Sequence, residues 1–198
     1  MKQIKNYVAV AVAAFFVNTS FAQMDSKMDS KMDKSMEKTV MVGGAAMYPS
    51  KNIVENAVNS KDHTTLVAAV KAAGLVETLQ SKGPFTVFAP TNAAFELLPA
   101  GTVDNLLKPE NKGTLTTVLT YHVVSGRLGS AEIAKLIREG NGKAELKTVA
   151  GGKLRVMMEG KKIAIKDENG GMAYVTIRDV NQSNGVIHVI DHVVLPKM

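Results

Sequence analysis

Gly83-Pro84-Phe85-Thr86-Val87-Phe88-Ala89-Pro90-Thr91-Asn92-Ala93-Ala94-Phe95 places a strand directly against a helix, and its reading decides what kind of domain the rest of the chain can build. Phe85 to Ala89 has the aromatic and β-branched content of a buried strand, and Pro90 ends it because proline has no N–H to give the ladder. Thr91 then caps a short helix carrying Ala94, Phe95 and Leu98, its hydroxyl accepting from an N–H of the first turn that has no helical partner. Phe85, Val87 and Phe95 are core candidates.

Toward the N-terminus the spacing is helical. Ser50 is read as the cap of a helix with Ile53, Val54, Ala57 and Val58 on one face, and Asp62 as the cap of another with Leu66, Val67, Val70 and Ala73, stopped by Gly74. Leu75, Val76 and Leu79 add a turn or two. Further helices are expected at Thr102–Leu107 and Thr114–Thr120, then a strand at Tyr121–Val124 and a helix capped by Ser130. Beyond it the chain is strand-rich. Lys143–Val149, Lys153–Met158, Lys161–Lys166 and Met172–Ile177 are separated by glycine-bearing turns, the spacing of successive hairpins, and Gly185–Ile190 and Val193-Val194 supply the last strands. Helices first and strands after them predict an α+β fold rather than alternating parallel units.

The N-terminus reads as an export signal. Lys2 and Lys5 precede an apolar run from Tyr7 to Val17, and the small-x-small pattern before Gln23 marks cleavage near Ala22. The run is shorter than the ~20 residues that a spanning helix needs, so no transmembrane anchor is expected. Residues 1–22 are therefore taken as a signal peptide, 23–48 as a low-complexity Met/Asp/Ser/Lys linker and 49–198 as one domain. The expected location is extracellular or periplasmic. Losing Lys2 and Lys5 leaves 22 of the 24 basic residues against 18 acidic ones, a net of +4. An exported, mildly basic chain points to an anionic polysaccharide, lipid headgroups or an acidic partner rather than to nucleic acid. With no cysteine there is no disulfide framework and no thiolate chemistry.

Catalytic patterns are missing from the sequence. Gly142-Lys143, Gly152-Lys153 and Gly160-Lys161 lack the Ser or Thr of a phosphate loop, and Ser183 lacks the glycine that precedes a nucleophile elbow. On one continuous strand His188 and His192 would sit ~13 Å apart, too far to share a metal, and Asp191 and His192 would face opposite ways. Met24, Met28, Met32 and Met36 recur every fourth residue, and their soft thioethers could hold Cu(I) if a helix aligned them. That gives an alternative reading as a periplasmic metal or small-ligand binder. Between Arg138 and Arg178, nine basic residues face five acidic ones; Lys153 and Arg155 share one strand face, with Lys161 and Lys162 nearby, so a basic binding patch is expected there.

Three blocks together resemble a fasciclin domain: Gly83 to Phe95, then Leu119-Thr120-Tyr121-His122-Val123-Val124-Ser125-Gly126, then Asn184-Gly185-Val186-Ile187-His188-Val189-Ile190-Asp191-His192-Val193-Val194-Leu195-Pro196. The resemblance runs from about Ile53 to Pro196. It implies a wedge of mostly antiparallel strands with helices packed against it, a role in adhesion or matrix attachment with a cell-surface or matrix protein as partner, and no family-wide catalytic activity; no cofactor and no enzymatic activity are expected. It also implies that Tyr121 and His122 match the Tyr-His pair linked to adhesion in animal members, which makes them candidate binding residues. The residues themselves allow a second reading, a buried pair satisfied by backbone. Asn92 stands where many members carry Asp.

Overall fold

The strand-to-helix joint at Thr91 is present, and the elements around it follow from the same local rules. The computed structural model describes residues 38–197. In chain order these form β1 (Val40–Val42), β2 (Ala45–Met47), α1 (Ile53–Ala57), α2 (Thr64–Ala73), α3 (Val76–Gln80), β3 (Phe85–Pro90), α4 (Asn92–Glu96), α5 (Thr102–Leu106), α6 (Lys112–Tyr121), β4 (Val123–Ser125), α7 (Ser130–Glu139), β5 (Lys143–Lys147), β6 (Lys153–Glu159), β7 (Lys162–Lys166), β8 (Met172–Gln182) and β9 (Gly185–Ile190). Short 3-10 turns lie at Lys61–His63 and Pro109–Asn111.

Seven strands make one sheet in the order β4-β3-β9-β8-β7-β6-β5. Every neighbouring pair is antiparallel except β3 with β9, which run parallel from Phe85 opposite Gly185 to Pro90 opposite Ile190. The two edges approach each other. Val124 bridges Thr148, and the Val149 N–H donates to the Val123 carbonyl at 2.7 Å, so the sheet almost closes into a barrel. This is the expected α+β class, with mostly antiparallel strands and helices packed against them. β9 is central, and all six of its residues are buried.

Two apolar clusters hold the layers together. One joins α1, α2 and α6 to β3 and β9 through Ile53, Leu66, Val70, Leu119, Val87 and Ile187. The other packs Ile133 and Ile137 of α7 against Leu154, Val156 and Ile165 on the inner face of the hairpins. Each fully buried aliphatic side chain there contributes about 1.5–3 kcal/mol.

The structure corrects several local expectations. Residues 40–47, placed in the linker by sequence, form a hairpin turned by Gly43-Gly44, and Val42 and Met47 are buried in the first cluster. The methionine-rich composition just before them masked this apolar hairpin. α6 runs on through Tyr121, so the strand expected from Tyr121 starts only at Val123. α1 is capped by Asn52 in a reciprocal box with Glu55 rather than by Ser50. The cap positions of α2 and α7 are His63 and Gly129, not Asp62 and Ser130. Val193-Val194 forms no strand, because β9 ends at Ile190. Thr91 does cap α4, its hydroxyl accepting from the Ala94 N–H at 3.2 Å.

Candidate functional site

Tyr121 and His122 close the C-terminal end of α6, and there the helix hands the chain to the sheet. The Tyr121 ring is fully buried. Its hydroxyl donates to the Lys153 carbonyl at 2.8 Å and accepts from the Glu168 N–H at 3.2 Å, which ties α6 to the start of β6 and to the turn before β8. Burial pushes that hydroxyl up to about 12. His122, 3% exposed, has Nδ1 2.8 Å from the Val118 carbonyl and accepts at Nε2 from the Val194 N–H at 3.2 Å. A carbonyl only accepts and an N–H only donates, so Nδ1 carries the proton and the ring is neutral. Burial pushes its pKa down to about 4. The adhesion role implied for this pair required contact with a partner. Both rings instead lie inside the domain with their polar atoms satisfied, so neither offers a contact surface in this fold.

The other polar residues of the three blocks also serve the interior. The Asn184 amide donates to the Leu79 and Ser81 carbonyls, each at 2.8 Å, and its oxygen accepts from the Ile53 N–H at 3.0 Å. Gly185 follows because a Cβ there would lie 2.2 Å from the Phe85 carbonyl oxygen. His188 has Nε2 2.8 Å from the Leu128 carbonyl and stacks on Phe88, with ring centroids 5.7 Å apart. Asn92 accepts from the Thr65 N–H at 3.0 Å and donates to the Lys61 carbonyl at 2.9 Å, capping α2, which has no cap of its own. The donated bond uses the amide; an aspartate could not make it.

His192 and Asp191 meet at 2.9 Å on the half-exposed surface. They were expected on opposite faces of one strand, but the strand stops before them and the turn brings them together. Among the described residues, no three His, Asp or Glu side chains converge to hold a metal. Met24, Met28, Met32 and Met36 lie outside the described residues.

The outer face of the hairpins presents a different surface. Inner positions of β5, β6 and β7 are apolar, and outer ones, by period-two alternation, are charged apart from Met157 and Ala164. Cross-strand register sets Glu145 opposite Arg155, Lys147 opposite Lys153, Arg155 opposite Lys166, and Glu159 opposite Lys162. Lys143, Lys147, Lys153, Arg155, Lys162 and Lys166 therefore share one face of β5–β7, on which Glu145 and Glu159 are the only acids. Glu145 receives Lys153 at 3.0 Å and Arg155 at 3.1 Å, and these hydrogen bonds hold its carboxyl below the usual range. Glu159 accepts from the Tyr174 hydroxyl at 2.8 Å, while the Lys162 ammonium sits 5.9 Å from the centre of the Tyr174 ring. Lys161 lies in the turn Gly160-Lys161 that joins β6 to β7. Lys143, Lys147 and Lys166 thus share the face of Lys153, Arg155 and Lys162, three of the residues singled out from the sequence. The alternation Lys143-Ala144-Glu145-Leu146-Lys147 sets the β5 lysines on one strand face in the sequence, and cross-strand register is what joins them to Lys153 and Arg155.

A nearly closed, mostly antiparallel sheet with helices laid over its parallel β3–β9 seam defines the class as an α+β scaffold domain. The Fasciclin domain profile matches residues 61–196, and the chain belongs to the fasciclin family. It is 44% identical over 190 residues to "Protein sll1483" of Synechocystis, covering 96% of this chain and 98% of that one. It is 37% identical to the immunogenic protein MPB70 of Mycobacterium bovis over 145 residues, 71% of this chain and 66% of the relative. A 131-residue stretch, 66% of the chain, is 40% identical to the transforming growth factor-beta-induced protein ig-h3 of Sus scrofa, of which it spans 17%. Among solved structures, a FAS1 domain pair from the insect cell adhesion molecule fasciclin I superposes with a TM-score of 0.66 at 21% identity, over 75% of this chain and 52% of that one. No described helix is long and apolar enough to cross a membrane.

Proposed function

We propose that this chain is exported and works as a non-enzymatic attachment module, holding an anionic polysaccharide or an acidic surface protein on the outer face of β5, β6 and β7. The observation that carries the reading is the charge of that face, six basic side chains against two acidic ones. Both acids are already engaged, by Lys153 and Arg155 in one case and by Tyr174 in the other. Lys143, Lys147 and Lys166 keep their charge available to a polyanion. Export is supported by the Lys2 and Lys5 start, the apolar run and the pattern ending at Ala22. Membership in a family that includes an insect cell adhesion molecule supports attachment as the role. One such patch binds modestly, so useful attachment relies on repeated sites on the partner. The test is retention of the full-length protein on immobilised dextran sulfate or on cells, followed by a salt gradient. Salt-reversible retention is expected, since exposed charges are screened within ~10 Å at 0.1 M salt; passage without delay at low salt contradicts the reading.

A further inference from the structure

A narrow cavity of about 80 Å³ lies between the helices α1, α2 and α3 and the strands β3 and β9. Ile53, Leu66, Val70, Leu79, Val87 and Ile187 give it an apolar wall, and Lys71, exposed at its rim, is its one charged lining residue. This volume is several times the ~10–15 Å³ that a single water occupies. His63 also lines it and is 3% exposed. Its Nδ1 is 2.8 Å from the Ser60 hydroxyl, but its Nε2 is the only buried side-chain nitrogen or oxygen among the described residues without a hydrogen-bond partner in the protein. The Ala89 backbone is close enough to favour a proton on the ring without bonding in normal geometry, and burial outweighs it, lowering the His63 pKa. The imidazole is therefore neutral at pH 7. A buried polar nitrogen normally finds a partner, and here the space beside it is otherwise apolar.

We propose that this cavity binds a small, neutral, apolar molecule bearing one hydroxyl group, with the hydroxyl on His63 Nε2 and the hydrocarbon against the wall of Leu66, Val70 and Val87. The choice of a hydroxyl follows from the ring. If the Ser60 hydroxyl donates to Nδ1, Nε2 is an N–H and needs an acceptor; if Nδ1 donates to Ser60, Nε2 is a lone pair and needs a donor. A hydroxyl serves both tautomers. A carboxylate or an ammonium would lose its hydration with no opposite charge inside to replace it. This site is separate from the basic outer face and stands or falls independently of it.

The probes are 1-pentanol and 1-chloropentane, titrated into the full-length protein labelled with 15N. With 1-pentanol, saturable shifts are expected at the amides of Leu66, Val70 and Val87, together with movement of the His63 Nε2 resonance. With 1-chloropentane, the amides respond but Nε2 stays in place. In His63→Phe, which keeps a ring and removes the nitrogen, 1-pentanol affinity falls about tenfold, as loss of one hydrogen bond to a buried group predicts, and 1-chloropentane affinity holds. Should that variant fail to fold, the two probes on the unaltered chain still decide. The proposal is overturned by no saturable response, by identical Nε2 behaviour with both probes, or by a water at Nε2 that neither probe displaces.

Discussion

The corner at Tyr121 and His122 and the outer face of β5 to β7 are adjacent in the fold yet spend their polar atoms in opposite ways. At the corner, every polar side-chain atom of the pair meets a backbone group: Lys153, Glu168 and Val194 on other segments, and Val118 one turn back on α6 itself. On the hairpin face the polar atoms meet solvent or one another, and Lys153 belongs to both regions, its carbonyl held by Tyr121 and its ammonium paired with Glu145. The difference teaches that, in this chain, residue type is a poor guide to which side chains reach the surface. The histidines, tyrosine and asparagine that stand out in the sequence assemble the scaffold, and the common lysines of the alternating strands give the surface its character.

The sharpest way to break this division is through the scaffold side. Gly185→Ala places a methyl against the Phe85 carbonyl across the parallel β3–β9 pair, and a loss of about 3 kcal/mol or more in denaturant unfolding is expected. Unchanged stability would mean that the seam is looser than its geometry. His122→Ala removes the partners of two buried backbone groups and leaves a hole, with an expected loss of about 2–4 kcal/mol. The same residue gives a pH signature. Its folded pKa of about 4 lies below the ordinary 6.5, so above pH 6.5 neither state binds the proton and the full stability is present. As pH falls from 6.5 to 4 the unfolded chain protonates first, and stability drops by about 3 kcal/mol before levelling. His63 and His188, also lowered by burial, add to the loss in the same direction. Melting curves across that range should flatten in a His122→Phe variant. Tyr121→Phe is milder: the Glu168 N–H and the Lys153 carbonyl lose their partner, for about 1–2 kcal/mol. Smallest in stability is Glu145→Gln, on the exposed face, which should leave the melting temperature in place and strengthen retention on a polyanion by removing an acid from among the lysines.

How far the sequence revealed this arrangement depends on whether the information is local. The Thr91 cap, the hairpin spacing from Lys143 onward and the apolar run of β9 are set by neighbours within a few positions, and the structure follows them. The parallel pairing of β3 with β9 joins residues about 100 positions apart, and no pattern within either strand specifies it. Tyr121 has strand propensity by type, yet α6 extends through it because its ring completes the inner cluster around Leu154 and Ile165. The Val40–Met47 hairpin was hidden by the repeat that precedes it. His63 carried no signal at all, since its interest lies in what surrounds it rather than in its spacing. The basic face was half legible: Lys153 and Arg155 stand out as a pair, whereas Lys143, Lys147 and Lys166 join them only through cross-strand register.

The central claim is tested most directly by one comparison in solution, the affinity of the full-length protein for dextran sulfate against sodium chloride concentration, beside two altered chains. Replacing Lys143, Lys147, Lys162 and Lys166 together with Ala should abolish binding while leaving the melting temperature within a few degrees, because these side chains lie on the solvent side of the sheet. His122→Ala, measured well below its reduced melting temperature, should bind as the unaltered chain does. Binding that survives loss of the four lysines, or that disappears in folded His122→Ala, would contradict the assignment of the exterior as the working surface.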